Sequence, residues 1–289
     1  MVWINSLIAG ILVGGLYALF ATGLSLAFGV MRFVNLAHGA LAVLAAYLVL
    51  SWADLVGANY WFSMVLVVIA MAVVGYLCQR GIFNFTIGSD PLPGILATFG
   101  LGIVIQNVLQ EKYTATDKTI NLGDFRTKSI QITDDIAIGM FSLLILVVAI
   151  VVLGSLQLFL SRTKLGREFR ATADDPKTAQ LMGINDKHLY GLAMAIAFAA
   201  VALAGFFQGA RVPFAPAAGG GLLLFAFEAV VIGGLGSLWG TLLGGIILGV
   251  AQTMANQKWI GSDQLVGHLV FLGVLAFRPN GLLGARERT

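Results

Sequence analysis

Residues 4–30 carry no charged side chain. A run of about 20 apolar residues is enough to cross bilayer hydrocarbon as a helix, and there only helices and closed barrels satisfy their own backbone. Further apolar runs lie near 36–52, 61–79, 93–110, 136–160, 188–210, 222–236, 238–255 and 263–277. They are too long for barrel strands and lack the two-residue alternation of a membrane barrel. The chain therefore reads as all-α: a polytopic membrane protein with 8–9 transmembrane helices in a single transmembrane domain, 1–289. Two places leave the count open. The first run is either one long tilted helix or a helix broken near Gly23, and 222–255 is either two short crossings or a re-entrant hairpin.

Composition supports this class. The chain is 58% hydrophobic and 11% charged, against about a quarter charged in soluble domains. The formal net charge of +3, with no basic patch laced with aromatics, argues against a nucleic-acid partner. No basic residue precedes the first apolar run, so it reads as a retained membrane helix rather than a secretory signal. The one cysteine, Cys78, excludes an internal disulfide or a cysteine-cluster metal site and reads as packing.

Two polar loops set the orientation. Residues 111–135 hold four basic and five acidic residues. Residues 161–187 hold Arg162, Lys164, Arg167, Arg170, Lys177 and Lys187. The basic excess places the second loop in the cytoplasm. With one span between the two, the first loop is external. Arg278, Arg286 and Arg288 favour a cytoplasmic C-terminus. The resulting location is multi-pass in a membrane, against lipid.

Catalytic signatures are missing. There is no P-loop and no H-E-x-x-H, and His38, His188 and His268 show no metal-ligand spacing. The chain is not read as an enzyme, and no cofactor is expected in it. Glycine pairs four apart (Gly10 and Gly14, Gly240 and Gly244, Gly245 and Gly249) put small residues on one helix face, where another helix can approach closely. They suit tight packing first and sliding helices second. Polar residues within the spans are few, and each reads as either an interhelical hydrogen bond or part of a substrate pathway. They include Asn35 and His38 at the second span, Thr98, Gln106 and Asn107 on the fourth, and Glu228 in the seventh. An intramembrane carboxylate such as Glu228 is a functional candidate by default, unless it sits near the membrane surface.

The second loop contains TADDPKTAQLMGIN, residues 172–185. Asp175 is a strong N-cap, Pro176 suits the first helical position, and Gly183 supplies the left-handed stop. The expected element is a two-turn peg over about 176–182, with Asn185 and Asp186 capping the helix that follows. Ala179, Leu181 and Met182 are expected on its cytoplasmic face. That pattern suits docking into a partner's groove or lying on the membrane surface.

Several stretches resemble one family. GLYALFATGLSLAFGVMRFVNLAHGALAVLAAY (15–47), LGREFRATADDPKTAQLMGIN (165–185), VVIGGLGSLWGTLLGGIILG (230–249) and FRPNGLLG (277–284) are similar to LivH-type permeases of branched-chain amino acid ABC transporters, over nearly the whole chain. The resemblance implies an ABC importer permease that works with a second, LivM-like permease subunit, two cytoplasmic ATP-binding subunits and a periplasmic substrate-binding protein. It makes the peg a coupling helix, with Asp175, Pro176, Ala179, Leu181, Met182 and Gly183 carrying the contact with the ATPase. Related permeases carry urea, short amides or aromatic acids, and Glu228 departs from the mostly apolar pattern of its segment. The alternative is a self-sufficient channel or secondary transporter for small solutes.

Overall fold

A computed structural model of the chain describes residues 2–86, 91–133 and 136–284. Asp134 and Asp135 of the loop expected to be external, and Arg286 and Arg288 of the basic tail, lie outside the described residues. The elements in order are α1 (Val2–Met31), α2 (His38–Val56), α3 (Tyr60–Gly81), α4 (Leu92–Tyr113), β1 (Ser129–Thr133), β2 (Ile136–Gly139), α5 (Met140–Arg162), α6 (Lys164–Asp174), α7 (Pro176–Leu181), α8 (Asp186–Arg211), α9 (Gly219–Gly233), α10 (Leu238–Lys258) and α11 (Asp263–Phe277). Among the described residues, eight helices are long and apolar enough to span a membrane: α1 to α5, α8, α9 with the 3-10 turn before it, and α10. The fifteen-residue α11 is shorter, about 22 Å at 1.5 Å per residue.

The first open place is settled by the structure, and the second proves to be two helices. α1 runs without interruption through Gly23 for 30 residues. Residues 222–255 form two separate helices, α9 and α10, joined by a turn in which Gly234 and Gly236 take φ of 108° and 80°, values that favour glycine. One correction follows for the loop before α5. The span expected from residue 136 begins only at Met140, because Ile136–Gly139 is a strand. It pairs antiparallel with β1, Ser129 opposite Gly139 and Ile130 opposite Ile138. The all-α class stands, with this short hairpin lying between two of its spans. SIQIT and IAIG alternate at period two, which is a strand signal.

The contacts divide the chain into two compact units. The first comprises Met1–Thr22, Asn121–Leu153 and Phe225–Thr289, and the second Gly23–Ile120 and Gly154–Leu224. In the first unit the glycine pairs meet one another. A Cβ placed on Gly14 would lie 2.5 Å from the Ile246 Cα, and one on Gly10 2.5 Å from the Val250 Cα. One on Gly245 would lie 2.7 Å from the Ala18 nitrogen. Ordinary carbon–carbon contact is about 3.5–4.0 Å, so α1 and α10 cross backbone to backbone, and only glycine permits it. Gly240 and Gly244 do the same against Gly233 and Ala229 of α9. The packing reading of these pairs is what the fold uses. The FRPNGLLG stretch also serves the packing. Its Leu282 and Leu283 amides donate to the carbonyls of Ile232 and Gly233 at 2.9 Å, capping the end of α9.

In the second unit α8 is the central helix, packed by α2 and α3. Gly205 sits against the Ala42 carbonyl, and a Cβ on Gly75 would lie 2.6 Å from the Met194 carbonyl. Gly191 faces the ring of Tyr76, whose hydroxyl pairs with His188 Nδ1 at 2.9 Å. Outward faces of α3, α4 and α5 are apolar and exposed, among them Ile69, Val73, Leu77, Val104, Val108 and Val151, as lipid contact requires.

Candidate functional site

The loop between α5 and α8 is built almost entirely from local rules. Thr163 caps α6 by accepting the Gly166 N–H at 3.0 Å. Gly166 lets α6 fold back onto the end of α5, where a side chain would strike the carbonyls of Phe159 and Leu160. Phe169 is buried, with its ring centroid 6.2 Å from that of Phe159. Arg170 donates to the Leu160 carbonyl. Then comes α7. Asp175 Oδ1 accepts the amides of Lys177 and Thr178 at 3.0 and 3.2 Å, and Oδ2 accepts the Thr178 hydroxyl at 2.5 Å. That hydroxyl, followed by the Thr178 amide, holds the Asp175 carboxyl below its usual range. At the other end Gly183 takes φ 81°. The Gly183 amide donates to Gln180 at 2.9 Å and the Ile184 amide to Ala179 at 3.1 Å. This paired arrangement is a Schellman closure. Asn185 caps α8 through the His188 amide at 3.0 Å, and Gln180 Nε2 donates to Asp186 Oδ2 at 2.7 Å. α7 is thus stopped at both ends and tied to α8.

One expected contact residue is misplaced. Ala179 is 4% exposed, whereas Leu181 is 87% and Met182 79% exposed. Ala179 belongs to the loop's own packing and offers no surface to a partner. The helical residues end at Leu181, with Met182 as the C-cap. Successive helical residues are rotated by about 100°, so 179 and 181 cannot share one face of so short a helix.

A second constellation lies where α1 gives way to α2. Arg32 takes a left-handed φ of 50°, and the chain is non-helical until the turn before His38. The Asn35 side chain accepts the Ala37 amide at 3.0 Å. Thr98 of α4 accepts the Leu36 amide at 3.1 Å and donates to the carbonyls of Gly94 and Ile95 at 3.1 and 3.0 Å. The buried His38 imidazole lies against Gly23, where a Cβ would be 2.9 Å from it and 2.6 Å from the Ala197 carbonyl. Ala197 stands about 16 Å along α8 from Asp186 at 1.5 Å per residue. In a hydrocarbon layer of about 30 Å that is near mid-depth. Asn35, His38 and Thr98 therefore come together around an opened stretch of backbone inside the membrane, tolerated because protein buries and satisfies it. Gln106 does not join them: it is half-buried, about 12 Å further along α4.

Glu228 lies in the first unit. It is 1% exposed and pairs with His268 of α11, whose side chain is 36% exposed.

Comparison with known proteins adds the family. The model described as "Branched-chain amino acid transport system / permease component" matches residues 6–277. The chain belongs to that family. The permease is 30% identical over 99% of its length to a Pseudomonas aeruginosa protein, "High-affinity branched-chain amino acid transport system permease protein BraD", of which it covers 97%. It is 26% identical over 99% of its length to the LivH protein of the same description from Escherichia coli, covering 96% of it. It is 28% identical over 83% of its length to "Fructose import permease protein FrcC" of Rhizobium meliloti, covering 69% of it. The permease is a multi-pass inner-membrane component of a transport system and not an enzyme.

Reading the sequence missed His268 as the partner of Glu228, since the two are forty residues apart. No local signal joins them. The nearest hint was that a buried intramembrane carboxylate requires a partner. It also missed Gln180, whose side chain fastens the peg to α8.

Proposed function

We propose that this permease is one membrane-spanning half of an ATP-driven ABC importer for branched-chain amino acids or a related small polar solute. Its partners are a second, related permease subunit, two cytoplasmic ATP-binding subunits and a periplasmic substrate-binding protein. The observation that carries the reading is α7: a helix closed at both ends, fixed to α8, with Leu181 and Met182 projecting and no P-loop anywhere in the chain to supply energy itself. A short helix with exposed apolar side chains fits a groove on a partner. The names of the BraD and LivH relatives favour an aliphatic amino acid, while the name of FrcC supports keeping other small solutes open. As the ATPase subunits close and reopen, α7 moves with them. α8 carries that displacement to the opened backbone around Asn35, His38 and Thr98. ATP binding shifts the permease only by the difference in its affinity for the two states.

The test is co-purification in mild detergent followed by reconstitution in liposomes. Leucine uptake is expected only with the ATP-binding subunits, ATP and the binding protein present. Uptake by this chain alone, driven by an ion gradient, would establish the channel or secondary-transporter reading instead.

A further inference from the structure

The first unit contains a second polar constellation, built from four helices. Tyr17 of α1 donates to Gln252 Oε1 of α10 at 2.6 Å, and its ring packs on Phe225 of α9 with centroids 5.1 Å apart. One turn along α9 from Phe225, Glu228 bonds through Oε1 to His268 of α11. Gln252 in turn lies against Gly267, the residue before His268: a Cβ there would be 2.7 Å from Gln252 Nε2. The glycine is the notch that admits the amide.

Two atoms in this cluster have no hydrogen-bond partner among the described residues. They are Glu228 Oε2 and Gln252 Nε2, on side chains both more than nine-tenths buried. One is a carboxylate acceptor and the other an amide donor, on side chains that both touch the same turn of α11, at His268 and Gly267. A buried polar group left unmade is costly and rare in native proteins. An orphaned acceptor and an orphaned donor on side chains that meet one turn of a helix suit a group that brings one of each. Such a group also needs an entrance. In α11 only Gly267 is buried, and the His268 side chain reaches the surface. The element that closes the cluster is therefore lightly seated.

We propose that Glu228 and Gln252 form an occluded binding site for the head group of an amino-acid zwitterion, with α11 as its movable wall. The α-ammonium donates to Glu228 Oε2, and the α-carboxylate accepts from Gln252 Nε2. His268 positions the Glu228 carboxylate through its other oxygen. The site rests on the importer reading for its ligand, but it is tested separately from it.

The experiment measures equilibrium binding of tritiated leucine to the purified permease–ATPase complex, without the binding protein. Competition by leucinamide, which lacks the carboxylate, is measured alongside. Glu228→Gln is expected to weaken leucine binding about ten- to hundredfold, as loss of a charge-assisted hydrogen bond does. Gln252→Met, of similar shape, is expected to weaken leucine more than leucinamide, whose carboxamide oxygen is the weaker acceptor, so the preference for leucine over its amide shrinks. A purely structural role would leave that preference intact in whatever protein folds. If Glu228→Gln does not give a monodisperse complex, Gln252→Met decides alone. Unchanged leucine affinity and preference in Gln252→Met, or no leucine binding by the wild-type complex, would overturn the site and leave a trapped water in its place. ATP-driven leucine uptake by the wild-type system, alongside either of those results, would show that the importer reading stands while this site does not.

Discussion

The sharpest consequence of the loop geometry concerns Leu181 and Met182. Both project from a helix whose ends are fixed, and Leu181 is 87% exposed. Replacing Leu181 with serine removes almost nothing from the folded permease, since exposed substitutions usually change stability by less than about 0.5 kcal/mol. If the side chain is buried in a groove on an ATP-binding subunit, its loss there is worth about 1.5–3 kcal/mol. That corresponds to roughly 10- to 150-fold in affinity. Ala179→Asp behaves differently. It forces a carboxylate into the 4% exposed interior of the loop, so it disorders the peg itself. The assay is titration of the ATP-binding subunits onto detergent-purified permease, with limited proteolysis of residues 161–187 as a control on the loop. Leu181→Ser is expected to bind weakly while its loop resists protease like wild type. Ala179→Asp is expected to bind weakly with its loop cut. Wild-type affinity in Leu181→Ser and in Met182→Ser alike would refute the assignment of this face to the ATPase.

Two further outcomes follow from the fold. Gly14→Ala places a methyl 2.5 Å from the Ile246 Cα and is expected to cost about 1–3 kcal/mol. Gly100→Ala meets nothing within 4 Å and is expected to leave stability unchanged or raise it by up to about 1 kcal/mol. Thermal unfolding midpoints in detergent compare the two, and an unaltered midpoint for Gly14→Ala would disprove the close crossing of α1 and α10. The Asp175 cap has a pH dependence of known sign. Because its carboxyl is held below the usual range, its contribution to α7 is complete above the ordinary carboxylate value of about 3.9. That contribution fades as pH falls through the lower folded value. Protection factors of the Lys177 and Thr178 amides, corrected for intrinsic exchange, should stay level from pH 7 to 5. A decline within that window would contradict the cap.

The parts of this protein that were legible in advance share a short range. Charge-free runs identify spanning helices because the bilayer removes every alternative for the backbone. Asp175, Pro176 and Gly183 delimit α7 because caps act over four residues or fewer. The glycine pairs are recognisable for the same reason, since a spacing of four puts them on one face. The 136–139 strand was overlooked because an apolar run adjoining α5 outweighed its two-residue alternation. FRPNGLLG could be seen as a signature, but its role in capping α9 could not.

Residence in a membrane, the places where most helices begin and end, and a rigid capped peg between α5 and α8 were all written in the order of the residues. Which side of that peg faces outward was not: packing turned Ala179 in and Leu181 and Met182 out. Packing also set the Leu36 amide on Thr98 and paired Glu228 with His268, while Gln106 stands apart. The reason is the range of the forces. Caps and spans are settled by neighbours along the chain and by solvent. A buried polar atom is satisfied by whatever packing brings within about 3 Å, and helices distant in sequence meet only once the glycine crossings have set how closely they approach.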